Sequence, residues 1–196
     1  IMKKCVLWSV VVSLLVASSS VLPARADVKL PTVIGSHMVL QRDRPLPIWG
    51  WADPGEEVTV TLGKTKAIAK ADAQGNWKVV LPAVKADGKA HRMIVSGKNK
   101  IELEDILIGE VWLGSGQSNM KMGIGKSDKG GAAIAASNNP KIRLFSIQPK
   151  GRAPGPWAEC APDVLSSKAY GNWGGFSGVL YYFGQRLHKD LDVPVG

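Results

Sequence analysis

Residues 106–120 read Ile106-Leu-Ile-Gly-Glu-Val-Trp-Leu-Gly-Ser-Gly-Gln-Ser-Asn-Met120, and they say more about the fold than any other part of the chain. The first eight are almost all apolar, as in strands that are buried on both faces of a parallel sheet. They lead directly into a glycine-flanked turn that contains two serines. Open α/β sheets bind their ligands just beyond the carboxyl ends of the strands. We therefore expect an α/β segment in which this turn is the functional loop.

The sequence after Met120 continues the α/β pattern. A polar, glycine-rich stretch precedes a short helix predicted at 132–137 and a strand predicted at 142–147. Residues 177–191 have apolar side chains three or four positions apart, which predicts an amphipathic helix. The apolar positions on its predicted buried face are Leu180, Phe183, Leu187 and Leu191. Val193-Pro-Val195 would begin the next strand, and such alternation of strands and helices is typical of an α/β domain.

The sequence before Ile106 predicts an all-β part. Short runs rich in β-branched residues occur at 58–62, 77–81, 92–95 and 101–103, and turn signals separate them. Short strands at near-regular spacing indicate a β-sandwich. We therefore predict a β-sandwich domain over 27–105 and, over 106–196, the beginning of a parallel α/β domain. Only one complete strand follows the strand at 106–113, so we expect this second domain to be truncated.

The N-terminal residues predict a cleaved signal peptide. Two lysines precede an apolar run at 6–17, and Ala24-Arg25-Ala26 is a small-x-small cleavage site. The run is too short to span a bilayer comfortably, which disfavours the alternative of a short membrane anchor. We therefore expect residues 1–26 to be removed and the protein to be exported to the periplasm or the extracellular space. One of the two cysteines lies in this segment, so Cys160 would have no partner for a disulfide.

The charge and the motifs exclude several classes of function. The formal net charge is +9, but no run of lysine or arginine is dense enough to indicate nucleic-acid binding. The three histidines are far apart, and none belongs to a metal-binding motif. Gly123-Ile-Gly-Lys-Ser127 lacks the first glycine of a phosphate-binding loop. We expect no nucleic-acid partner, no metal and no cofactor.

Ser118 is the candidate nucleophile. It follows a buried strand, inside a turn where Gly114 and Gly116 permit tight backbone geometry and close approach of a ligand. A serine there can attack an ester carbonyl while its own N–H holds the developing oxyanion. The alternative is a serine–asparagine turn that caps the next segment. The neighbours Gln117 and Asn119 either contact substrate or hydrogen-bond the turn.

Four tryptophans lie close to these features. We expect Trp112 to pack in the core because it belongs to the apolar run. Trp49, Trp51 and Trp77 fall in the predicted β domain. For these three we expect core packing, and the alternative is a platform on which sugar rings stack.

Residues 111–120 resemble the nucleophile block of the sialate O-acetylesterase family, which belongs to the SGNH hydrolase superfamily. Three further blocks resemble segments of the same family, and all four occur in the family's order. These blocks are 30–42 with its continuation 45–52, then 176–184, then 187–196. The resemblance covers nearly all of the chain after residue 26 and identifies it as the N-terminal portion of such a protein.

The resemblance implies an SGNH-type, flavodoxin-like parallel α/β/α domain after the β-sandwich. It implies that Ser118 is the nucleophile and that its N–H contributes to the oxyanion hole. Gly116, Gln117 and Asn119 would shape the site or bind substrate. A later glycine N–H and a later asparagine would complete the oxyanion hole, and a later histidine–aspartate pair would supply the base. None of those later blocks occurs in this chain, and His188 lacks an aspartate three residues before it.

The implied function is a carbohydrate esterase that removes O-acetyl groups from sialic acid or other acetylated glycans through a Ser118 acyl-enzyme. Its partner would be the acetylated glycan, with no stable membrane insertion once the signal peptide is removed. Because the base and most of the oxyanion hole are missing, we expect this chain to be a truncated, inactive fragment. The alternative is a non-catalytic glycan-binding or scaffold protein that retains the β-sandwich. Lys121 departs from the acidic or apolar residue that often follows this block in the family.

Overall fold

Seven strands lie in the part of the chain from residue 27 to residue 109. The computed structural model describes residues 27–147, 155–171 and 174–196, so the predicted signal peptide at 1–26 lies outside the described residues. The strands are β1 Val39–Gln41, β2 Leu46–Trp51, β3 Glu57–Leu62, β4 Thr65–Lys70, β5 Asn76–Leu81, β6 His91–Ser96 and β7 Lys100–Gly109. The strands predicted at 58–62, 77–81 and 92–95 are confirmed as β3, β5 and β6.

Two sheets share one hydrophobic core. The first has five strands in the order β1-β7-β6-β3-β4, and in the second β2 pairs with β5. Burial alternates along the strands, as in β2, where every second side chain faces inwards. Fully buried residues from both sheets meet in this core, among them Ile48, Val60, Leu81, Met93 and Ile106. The period-two pattern of the sequence therefore encodes the core of the β part.

β7 changes its partner halfway along its length. Its first half pairs antiparallel with β6, and its second half pairs in parallel with β1. Between the two halves the register slips by one residue, because Leu103 lies opposite Met93 whereas Ile106 lies opposite His91. Asp105 accommodates the extra residue with a left-handed φ of 53°. This bulge redirects the strand from the antiparallel sheet into the parallel part of the fold.

The sequence predicted two strands where the structure has one. The expected strands at 101–103 and 106–113 form the single strand β7, which ends at Gly109. Residues 111–113 are exposed, although they belong to the apolar run that was expected to be buried on both faces. The reason is that β1 ends opposite Gly109, so the apolar run continues beyond its partner strand.

Helices and two further strands follow β7. They are α1 Ser118–Lys121, a 3₁₀ turn Ile124–Lys126, α2 Gly130–Ala135, β8 Asn139–Leu144, β9 Ala158–Cys160, α3 Pro162–Ser166 and α4 Gly178–Leu191. The helices predicted at 132–137 and 177–191 are thus confirmed as α2 and α4. None of the described helices combines the length and the apolar character needed to cross a membrane. The predicted change from an all-β part to a mixed α/β part is confirmed.

The last residues of the chain pair with the parallel part of the fold. Val195 lies between Glu110 and Ile142 and forms a parallel bridge with each of them. A Cβ placed at Gly109 would lie only 2.0 Å from the carbonyl oxygen of Pro194. That carbonyl accepts the N–H of Glu110 at 2.9 Å, at the start of the parallel pairing. Glycine at 109 therefore lets β7 and the last residues approach each other.

α4 buries a different face from the one that its leucine spacing predicted. Its buried residues are Gly178, Tyr181 and Gly184, whereas Phe183 is exposed. A Cβ at Gly184 would lie at ordinary van der Waals distance from Val195, 3.6 Å away, so this face of the helix packs against the last residues of the chain. Small residues contribute little to an apolar periodicity, which is why the sequence pattern pointed to the wrong face.

Candidate active site

Ser118 is the first residue of α1 and is exposed to solvent. Gln117 precedes it in an extended conformation and does not cap the helix with its side chain. Among the described residues, no group hydrogen-bonds the Ser118 hydroxyl or accepts its N–H, and the side chains of Gln117 and Asn119 also have no hydrogen-bond partner. The hydroxyl and the N–H of Ser118 are therefore both available to a ligand.

A polar cluster holds the beginning of the loop at 110–117. Arg42 Nε donates to Glu110 Oε1 at 2.7 Å, and the N–H of Val111 donates to Gln41 Oε1 at 2.9 Å. The hydrogen bond from Arg42 outweighs partial burial and lowers the pKa of Glu110, so this carboxylate stays ionised at neutral pH. Side chains at the end of β1 thus hold the loop beyond the last backbone pair between β1 and β7.

Two glycines shape the loop itself. A Cβ at Gly114 would come within 2.4 Å of Leu180, so the absence of a side chain lets the loop pack against α4. Gly116 has a φ of +157°, which L side chains rarely adopt. At the other end, Ser177 Oγ donates to Met120 Sδ at 3.7 Å and accepts the N–H of Leu180 at 3.3 Å. The loop and α1 are therefore attached to the N-terminal turn of α4.

A cleft of about 620 Å³ lies beside the loop, where β7 and β8 end. Its walls are mostly apolar and come from the loop, from residues 144–147 and from one face of α4. Of the four predicted site residues, only Gly116 lines the cleft; the residues 117–119 are not part of its wall. Since Gly116 and Met120 both line it, Ser118 lies at its rim.

Trp112 lines this cleft and does not belong to the core. Its side chain is 52% exposed, and its ring meets that of Phe183 edge-on with the centroids 5.1 Å apart. The expectation of core packing was wrong because Trp112 lies beyond the point where β1 ends. Trp112 and Phe183 instead form an aromatic wall of the cleft, which the sequence did not indicate.

The histidines of the chain are engaged away from Ser118. Each is hydrogen-bonded elsewhere: His37 to Asp105 at 2.7 Å, His91 to Asp87 at 3.0 Å, and His188 to the carbonyl of Val193 at 2.7 Å. No histidine lines the cleft. Within the described ranges, therefore, no imidazole is in place to activate Ser118.

An ion-pair cluster around one buried arginine lies at β8. Arg143 is 3% exposed, and its guanidinium contacts Asp105 at 2.6 Å and Glu159 at 3.4 Å. Its Nε donates to the carbonyl of Pro140 at 2.7 Å, and His37 contacts the same oxygen of Asp105. Burial tends to raise the pKa of Asp105, but hydrogen bonds from Arg143 and His37 lower it overall. A single arginine within a predicted apolar strand was the one sequence signal for this cluster.

Among the described residues, this cluster also holds the one group of three side chains that lie close enough together to bind a metal ion. Ligand atoms of His37, Asp105 and Glu159 all lie within 4.8 Å of one another. The Arg143 guanidinium already contacts both carboxylates, and its positive charge disfavours a second cation beside it. We therefore describe the cluster as an ion-pair network that joins the β part to β8 and β9.

Comparisons with known proteins add sequence and fold similarities. No protein-family model matches the chain. The sialate O-acetylesterase of Homo sapiens is 31% identical over 188 residues, covering 86% of this chain and 36% of that protein. The sialate O-acetylesterase of Mus musculus is 28% identical over 186 residues, covering 86% of this chain and 34% of that protein. A solved carbohydrate acetylesterase from Xanthomonas citri shares 36% identity at a TM-score of 0.75, covering 86% of this chain and 39% of that one.

These similarities extend along most of the chain and are not confined to the serine loop. The chain spans about a third of the length of the curated relatives that it matches. Sequence and fold point to the same group of proteins, and the chain belongs to the sialate O-acetylesterase family.

Proposed function

We propose that the protein to which this chain belongs is a carbohydrate esterase that removes O-acetyl groups from sialic acid or from other acetylated glycans. The relatives are sialate O-acetylesterases and a carbohydrate acetylesterase. In this chain the proposal depends on one observation, the free hydroxyl and N–H of Ser118 at the beginning of α1. The finer fold assignment, a β-sandwich followed by an SGNH-type, flavodoxin-like domain, is part of the proposal.

Ser118 would act by forming an acyl-enzyme. Its Oγ attacks the acetyl carbonyl carbon and gives its proton to a general base, while its N–H holds the oxyanion. The bond between the acetyl carbon and the sugar oxygen then breaks, and the sugar hydroxyl leaves with that proton. Water attacks the acetyl-serine ester in the second step, which releases acetate and restores Ser118.

This reaction needs a base from outside the described residues. A serine hydroxyl is a weak nucleophile without an adjacent base, and loss of a triad member typically costs about 10⁴-fold in rate. We therefore expect the 196-residue chain alone to be inactive as an esterase. The same observation favours the second candidate function, a non-catalytic glycan-binding or scaffold protein.

Charge beside Ser118 supports an anionic sugar as the substrate. Lys121 is three residues after Ser118 on α1, so the two side chains emerge on the same side of this helical turn. Lys121 is exposed, lines the cleft and has no ion-pair partner among the described residues. An ammonium group there would attract a sugar carboxylate towards the serine. Export to the periplasm or the extracellular space belongs to the same proposal and is supported by the pattern of residues 1–26.

Chemical rescue tests the role of Ser118 on the chain as it exists. A fluorophosphonate probe is incubated with the protein in increasing concentrations of imidazole, which supplies a diffusible base, and the labelled serine is mapped by peptide mass spectrometry. We expect labelling of Ser118 that rises with imidazole and is negligible without it. Ser118→Ala should remove the label.

Ser166→Ala is the control, because Ser166 is also exposed and lies on the short helix α3, although its hydroxyl donates to the carbonyl of Pro162 at 2.8 Å. It should leave the label unchanged. Equal labelling of Ser118 and Ser166 at every imidazole concentration would show that Ser118 has no special reactivity, and the esterase proposal would then be wrong. Strong labelling of Ser118 without imidazole would show that this chain contains a base of its own.

A further inference from the structure

The outer face of the two-stranded sheet carries two exposed tryptophans. Trp49 and Trp51 lie on β2 and are 40% and 47% exposed, although core packing was expected for both. Leu46 and Ile48 alternate with them and are fully buried, so the period of two forces both indoles outwards. Trp77 faces the opposite way from β5 and is buried, as expected. Large aromatic side chains that are held at the surface mark interaction sites more often than large aliphatic ones do.

The residues across from these indoles are defined by the strand register. Trp49 lies opposite Lys78, and Trp51 lies between Asn76 on one side and Lys29 on the other. Side chains directly opposite each other project from the same face, so Lys29, Lys78 and both indoles share one surface. Neither lysine has an ion-pair partner among the described residues. The face therefore combines two aromatic rings with two unpaired positive charges.

We propose that this face binds an acidic polysaccharide chain, independently of Ser118. The C–H bonds on one side of a pyranose ring are weakly positive and match the negative face of an indole. Trp49 and Trp51 are about 7 Å apart along the strand, which lets consecutive sugars of one chain stack on them. Lys29 and Lys78 then pair with the carboxylates of those sugars. This surface would keep the chain bound to a polymer without any catalytic step.

Other occupants fit the face less well. A second copy of this chain would place its own Lys29 and Lys78 against the same two charges, which is unfavourable in a symmetric contact. A purely apolar partner would leave both ammonium groups without a counter-charge. Carboxylated sugars satisfy the rings and the charges together.

The test uses unacetylated polysialic acid, so that ester hydrolysis plays no part and the outcome does not depend on the esterase proposal. Binding to the purified chain is measured by isothermal titration calorimetry, with dextran as the neutral polysaccharide and polyglutamate as an acidic polymer that lacks sugar rings. We expect the tightest binding for polysialic acid. Replacing both tryptophans with alanine should weaken that binding about tenfold, and replacing both with phenylalanine should retain most of it.

Three further variants distinguish the contribution of ring stacking to binding from the effects of misfolding and of charge. Trp49→Leu with Trp51→Leu keeps the face apolar but removes the rings, and it should bind as weakly as the alanine pair. Ile68→Ala removes an exposed apolar side chain from β4 and should bind as the unmodified chain does. Lys29→Gln with Lys78→Gln should reduce the preference for polysialic acid over dextran several-fold.

Three results would overturn the inference. One is equal binding of polyglutamate and polysialic acid, which would mean attraction by net charge alone. Another is unchanged binding by the leucine pair. The third is a dimer in analytical ultracentrifugation that the alanine pair and the leucine pair of substitutions both dissociate, which would assign the face to a second copy of the chain.

Discussion

Replacing Arg143 with methionine removes the buried central cation of the ion-pair network while keeping most of the side-chain volume. Asp105 then loses its 2.6 Å contact with the guanidinium and keeps its 2.7 Å contact with His37, and its side chain is only 28% exposed. The carbonyl of Pro140 loses the donor that lies at 2.7 Å. Glu159 is half exposed and becomes solvated, so its loss of a partner matters little.

The expected loss of stability is about 3 kcal/mol. A hydrogen bond to a charged group contributes about 1.5–3 kcal/mol, and a neutral one contributes about 1 kcal/mol. Breaking a fully buried ion pair costs about 3–5 kcal/mol, but the partial exposure of Asp105 places this pair at the lower end. With an m-value of about 2 kcal/mol/M, the urea midpoint should fall by about 1.5 M.

Urea unfolding of residues 27–196 at pH 7, followed by far-UV circular dichroism, measures this loss. Arg186→Met is the matched control, because Arg186 forms an exposed ion pair with Asp190 four residues along α4. Exposed pairs of this kind are worth about 0.3–0.5 kcal/mol, so the control should hardly move the midpoint.

The pH dependence of this loss of stability tests whether Asp105 is the partner that matters for Arg143. The folded-state pKa of Asp105 is lowered, so its ion pair stabilises the fold above the ordinary value of 3.8 and is lost as pH falls below it. The difference between the unmodified chain and Arg143→Met should therefore shrink below pH 3.8. Two results would contradict this prediction: a loss of stability in Arg143→Met no larger than that in Arg186→Met, or a difference that stays constant down to pH 3.

Three further predictions concern other parts of the chain. Gly109→Ala should destabilise the fold by at least about 2 kcal/mol in the same urea assay, because its Cβ would meet the carbonyl of Pro194. The control is Gly131→Ala on α2, whose Cβ meets nothing within 4 Å, and it should be neutral or slightly stabilising. Burial raises the pKa of Cys160 to about 12, so a thiol reagent at pH 8 should modify it at least about 100-fold more slowly in the folded protein than in urea. Mature protein from an exporting host should begin at Asp27 by N-terminal sequencing, and a product that retains residues 6–17 would contradict the cleavage site.

The serine loop was predictable because its signal is local. An apolar strand followed by two glycines and a serine fixed the position of Ser118 beyond a strand end, and the structure places it at the beginning of α1. The cleft beside it was not predictable. Its aromatic wall joins Trp112 to Phe183, which are far apart in sequence, and it exists only because β1 ends before the apolar run does.

The sequence alone determined three strands of the β part, β3, β5 and β6, together with the position of α4 and the residues of the serine loop. Each of these follows from a period or a turn signal that spans only a few neighbouring residues. The tertiary structure decided the bulge at Asp105, the face of α4 that is buried and the pairing of Arg143 with Asp105, which are 38 positions apart. It also decided that Trp49 and Trp51 face solvent while Trp77 is buried. A period of two shows which side chains share a face, but only the packing of the two sheets decides which face is covered.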